Sequence, residues 1–187
     1  MKMLPHMVVI NPCDYNQTKA ATIAIADYIG PVYLRFGRPK VPNFTDENQK
    51  FEIGKAVLMQ EGSDVTIFST GHLVWESIEA ARKLKNENIS AEIINIHTIK
   101  PLDIDSILKS VSKTRCIVTA EEHMLNGGLG DSLAQLFSRN IPTPIEMVGV
   151  NDTFGESGTP MGLMKKYGLT SDDIVLASKR VIKRKLC

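Results

Sequence analysis

Two periods alternate along this chain. Short apolar runs at residues 7–10, 32–36, 65–69, 91–96, 116–120 and 145–150 read as buried strands. Between them apolar residues recur at helical spacing, with Val74, Ile78, Ala81 and Leu84 on one face, then Ile104, Ile107, Leu108 and Val111, then Leu129, Leu133, Leu136 and Phe137. Residues 53–59 and 65–69 suggest a hairpin or two successive strands. Helix starts are signed by capping residues: Asp14 with Gln17 three residues on, Asp103 ahead of Ile104, Thr159-Pro160, and Thr170 with Asp173. Leu169 and Ile174 are spaced to staple across the last of these. Strands alternating with helices predict an α/β fold, a three-layer α/β/α sandwich with a mostly parallel sheet.

The regular pattern begins only after residue 51. Ahead of it lies a single strand–helix–strand unit, then a polar, proline-bearing stretch that reads as a linker. About forty residues seldom build a core alone. The expectation is therefore a partial βαβ unit at residues 1–38, a remnant of a larger domain, then a linker at 39–51 and a second domain at 52–187. Packing of the first unit against the second is the alternative.

Composition narrows the function classes. The 187 residues are 43% hydrophobic and 23% charged, with net charge +1, which is ordinary for a globular protein. That charge argues against nucleic acid or an anionic membrane as partner. The basic tail at 179–185 suits a solvated helix end. Cys13, Cys116 and Cys187 fit no metal or redox spacing, and with no secretory signal the cytoplasm is the expected location. Cys116 reads as core.

Candidate chemistry lies where strands end. Residues 116–120 stop at Glu121, Glu122 and His123, followed by the glycine loop Gly127-Gly128-Leu129-Gly130. His72 and His97 also follow parallel strands. In a doubly wound sheet these five gather at one edge. Two histidines and a carboxylate suit a metal, but no two share local ligand spacing, so a hydrogen-bonded structural edge is the plainer reading. The glycine loop is no dinucleotide fingerprint, because Leu133 stands where glycine or alanine is required. Tight strand-to-helix turning accounts for it.

Several segments together resemble the transketolase family of thiamine-diphosphate enzymes, in its carboxyl-terminal portion. They are Leu4-Pro5-His6-Met7 leading to Asn11-Pro12-Cys13-Asp14; residues 30–39, Gly-Pro-Val-Tyr-Leu-Arg-Phe-Gly-Arg-Pro; Ile96-His97-Thr98-Ile99-Lys100-Pro101-Leu102-Asp103; and Asp152-Thr153-Phe154-Gly155-Glu156-Ser157-Gly158 with Tyr167-Gly168-Leu169-Thr170. The match spans nearly the whole chain and is nearest the split type, made as two shorter chains.

The resemblance implies that residues 1–38 end a pyrimidine-binding domain and 52–187 form the C-terminal domain. It implies transfer of a two-carbon ketol unit between sugar phosphates in pentose phosphate metabolism, with thiamine diphosphate and Mg2+ in the complete enzyme. The cofactor-binding parts fall outside this chain, so no catalytic, cofactor or metal residue is assigned. None of those groups is expected on the chain alone, which would be inactive by itself. The implied partners are a diphosphate-binding N-terminal subunit and a second copy in a homodimer. One site residue carries over. Arg38 matches an arginine that binds the substrate's phosphate, a role suited to a planar guanidinium fork; Arg35 and Lys40 flank it. Without the resemblance Arg38 is a surface arginine beside a linker. The rival readings are a 1-deoxy-D-xylulose-5-phosphate synthase, the beta part of a 2-oxo-acid dehydrogenase, or a docking domain that does no chemistry.

Overall fold

The computed structural model describes residues 1–37 and 40–185. Five strands form the main sheet, β3 (Val57–Gln60), β4 (Val65–Ser69), β5 (Ala91–Asn95), β7 (Ile117–Met124) and β8 (Ile145–Val150), in the order β3-β5-β4-β7-β8. All pairings are parallel except β3 with β5. Residues 53–69 therefore do not form a hairpin. β3 crosses to the far edge, beyond β5.

Pleating sorts the core into two layers. Val65, Ile67, Ile93 and Val118 point to one face and pack under α2 (Leu73–Lys85) and α6 (Ser171–Lys185). Phe68, Ile94 and Ile117 point to the other, under α3 (Ile104–Thr114) and α4 (Leu129–Asn140). This is the expected three-layer α/β/α sandwich. Cys116 lies in the first layer, and the free thiols Cys13 and Cys116 are both buried; Cys187 lies outside the described residues. A short helix, α5 (Pro160–Lys166), leads into α6.

The caps form as the sequence predicts. The Asp14 and Asp103 carboxylates accept from the amides of Gln17 and Ser106, and Thr170 donates to Asp173. In α6 the basic tail is largely paired. Lys179 reaches Glu87, and Arg180 and Arg184 reach Glu146.

The first unit, β1 (Val8–Ile10), α1 (Tyr15–Ala26) and β2 (Val32–Leu34), is joined to the rest by a strand the sequence pattern does not show. β6 (Thr98–Lys100), just past β5, pairs antiparallel with β1. The resulting small sheet runs β2-β1-β6. The stretch read as a linker has no helix or strand over 40–51 and is packed on both sides. The amides of Phe44 and Thr45 donate to Asp14, the Phe44 ring packs tilted against Trp75 of α2 with centroids 5.5 Å apart, and Phe51 closes the small core with Val8, Ile10 and Ala21.

Candidate functional site

The carboxyl ends of β4, β5 and β7 define the edge where open α/β sheets bind ligands. Here the chain covers that edge with its own first unit. Asn11, past β1, donates its amide to the His97 carbonyl at 2.8 Å. Its side chain lies against Gly71, whose φ of +57° favours a residue without a Cβ. Gln17 of α1 is fully buried and accepts from the Asn95 amide at 3.0 Å. Arg35, past β2, donates to the Glu122 carbonyl at 2.7 Å.

The five ionisable residues expected at this edge do reach it, but they separate into four environments. His72 and Glu122 form a pair, with Nδ1 3.0 Å from Oε2. The hydrogen bond from His72 holds the Glu122 carboxyl below its usual range, against the opposing effect of burial. His97 points away. Its ring lies 4.2 Å from that of Phe51, its Nδ1 meets the Thr98 hydroxyl, and burial pulls its pKa down to about 4. It is therefore neutral at physiological pH. His123 is exposed and turns Nδ1 to the Met124 carbonyl at 2.8 Å. Among the described residues no three His, Cys, Asp or Glu side chains converge as a metal site.

Glu121 accounts for the glycine loop. β7 runs on through Met124, so the three ionisable residues lie inside the strand and not after it. Glu121 is buried under the N-terminus of α4, where it accepts from the amides of Leu129 at 2.7 Å and Gly130 at 2.8 Å. Burial pushes its pKa up, opposed by those two amides. A Cβ on Gly128 would stand 2.2 Å from the carboxylate. The anion-attracting helix start is thus filled by an internal carboxylate, a role that strand-and-loop reading misses. The loop's spacing after Glu121 is the only trace of it in the sequence.

Two cavities flank the covered edge. One, of about 220 Å3, is lined by Asn11, Arg35, Thr70, Glu121 and His123 among others. The other, of about 560 Å3, lies between α1 and the segment following β2, with Asp14, Phe36, Gly37, Lys40 and His72 in its wall. Arg38, the predicted phosphate ligand, lies outside the described residues.

The protein-family model that matches is the transketolase C-terminal domain, over residues 54–174. The chain belongs to that family. It is 43% identical over 185 residues to a 6-deoxy-6-sulfo-D-fructose transketolase subunit of Clostridium sp. (strain MSTE9), covering 99% of this chain and 58% of the relative. A solved structure described as a split gene transketolase, inactive beta4 tetramer, superposes with a TM-score of 0.96 at 42% identity, over 99% of this chain and 61% of that one. The 1-deoxy-D-xylulose-5-phosphate synthase of Symbiobacterium thermophilum is 32% identical over 187 residues, covering 98% of this chain but 29% of the relative. The chain spans less than two thirds of each of these relatives.

Proposed function

We propose that this chain is the C-terminal part of a thiamine-diphosphate-dependent transketolase, moving a two-carbon ketol unit between sugar phosphates. The observation that carries the reading is the likeness to a split gene transketolase over 99% of the chain at 42% identity. The higher identity to a transketolase subunit than to a deoxyxylulose-phosphate synthase, 43% against 32%, favours it over that rival. In this reading residues 1–38 close a pyrimidine-binding domain, 39–51 connect, and 52–187 form the C-terminal domain.

The residues present do not fit the cofactor. Among those described there is no metal-ligand cluster, and the start of α4 already holds Glu121. Thiamine diphosphate and Mg2+ would sit between an N-terminal subunit and the rest of the pyrimidine-binding domain. This chain's own contribution is to bind the anionic end of the sugar. Arg38 would supply a guanidinium fork to the phosphate oxygens. The Clostridium relative's name carries a sulfo-sugar, and a sulfonate offers the same fork a similar set of oxygens. Self-association is part of the proposal; the structural relative is described as a tetramer that is inactive. Among the described residues no helix is long and apolar enough to cross a membrane, and we place the working enzyme in the cytoplasm.

The test is reconstitution. The purified chain should show no turnover of xylulose 5-phosphate with ribose 5-phosphate. Adding an N-terminal transketolase subunit together with the remainder of the pyrimidine-binding domain, thiamine diphosphate and Mg2+ should restore it. Turnover by the chain alone, or none with any partner, would refute the assignment.

A further inference from the structure

The cavity of about 220 Å3 lies in the joint between the first unit and the second domain, and the protein leaves part of its polar wall unpaired. Asn11 is the clearest case. It is 5% exposed, and its side chain is pressed against Gly71, where a Cβ would stand 2.6 Å from Nδ2 and 2.9 Å from Oδ1. Yet among the described residues nothing hydrogen-bonds to that carboxamide. Buried amides are ordinarily bonded, so a donor and an acceptor are left on the cavity wall. Thr70, 1% exposed, makes a single long bond, 3.4 Å to the Asn11 carbonyl. Arg35 uses one guanidinium donor on the Glu122 carbonyl at 2.7 Å, and four more remain. Tyr33 adds a phenol hydroxyl to the same wall.

We propose that this cavity binds a small hydroxycarboxylate, a monoanion of about three or four carbons carrying at least one hydroxyl. Each part of that description has a counterpart in the wall. The volume admits roughly six to eight non-hydrogen atoms. Arg35 and Lys2 against Glu121 leave one formal positive charge in excess, which suits a monoanion. The planar guanidinium fork matches a carboxylate. Glu121 asks for a hydroxyl: each of its oxygens accepts one amide, from Leu129 and from Gly130, and keeps a free lone pair. Val9, Ile99 and Leu129 give apolar surface for a short carbon skeleton. Inorganic phosphate, with a charge beyond one near neutral pH and no carbon, fits this wall less well. Asn11, Tyr33 and Arg35 come from the first unit, Thr70 and Glu121 from the second domain, so the ligand would bridge the two. The inference does not rest on the transketolase reading, and its test needs neither thiamine diphosphate nor a partner subunit.

Titration calorimetry on the full chain at fixed ionic strength provides the test. Glycerate should bind saturably and raise the thermal midpoint of unfolding. Glycerol, which lacks the charge, and propionate, which lacks the hydroxyls, should each bind about tenfold more weakly or worse. Arg35→Gln should weaken glycerate about tenfold and Asn11→Ala about fivefold. Tyr33→Phe removes one hydroxyl from a partly exposed side chain, keeps the fold, and should weaken it about threefold. Lys165→Gln removes a charge from α5, outside the cavity, and should leave affinity unchanged. Absence of saturable glycerate binding would overturn the proposal. So would inorganic phosphate or propionate binding as tightly as glycerate, or an affinity for glycerate that Arg35→Gln and Tyr33→Phe both leave untouched.

Discussion

His97 shows how one buried side chain sets a pH limit. In the fold it is packed on Phe51, nearly sealed from water, and titrates at about 4; the free side chain titrates near 6.5. As pH falls, the unfolded chain therefore takes up the proton first. Stability from this residue is intact above about pH 7 and declines between about 6.5 and 4, by up to about 3 kcal/mol. Urea midpoints recorded from pH 7.5 to 4.5 should fall over that interval. In His97→Gln, which cannot titrate, the fall should be flatter. An equal slope in the two proteins would assign the acid sensitivity elsewhere. Sequence position groups His97 with His72 and His123, because all three follow strands. Their separation depends on what the first unit and the stretch after it bring to the edge, Phe51 for one and Gly37 for another, and neither is near in sequence.

At the scale of elements, local signals were legible and distant pairings were not. Asp14, Asp103 and Thr170 act within three residues of themselves, and all three caps form. β6 leaves no sequence trace, because it is three residues long and its partner, β1, lies about ninety residues earlier. The sequence pattern ends β7 at Ala120, because charged residues rarely sit in a buried strand. Glu121 does so because the start of α4 supplies two amides. That makes a sharp prediction. Glu121→Ala strands both amides in a buried site and opens space above Gly128, and should cost about 2–4 kcal/mol in urea unfolding. Asp131 is the matched control. It accepts from the Gly127 amide on the exposed side of the same loop, and Asp131→Ala should cost under about 1 kcal/mol. Comparable losses in the two variants would remove the special role given to the internal carboxylate.

For the whole molecule, the apolar surface is uneven, and the first unit carries the excess. α1 buries only Gln17 and Ala21. Around it Tyr15 is 67% exposed, Ile23 62%, Ile29 99% and Phe36 60%. β2 is an edge of its three-stranded sheet, so part of its backbone is free to pair. Lone exposed hydrophobics are unremarkable, but a cluster on one unit beside an open edge marks a contact surface. The sequence foretold this from size alone, a βαβ unit too small to close a core; it could not show that β6 and Phe51 supply part of the closure. What they leave uncovered is the face of α1. A second copy of the chain is the occupant that matches the proposed self-association. Sedimentation of the purified chain at micromolar concentration should therefore give a species larger than 20.7 kDa. Ile23→Asp combined with Ile29→Asp should shift it toward monomer. Both side chains are largely in water, so the double variant should lose no more than about 1 kcal/mol of stability. A monomeric parent chain would leave the α1 face to a different subunit, and an oligomer indifferent to both substitutions would place the contact on another surface.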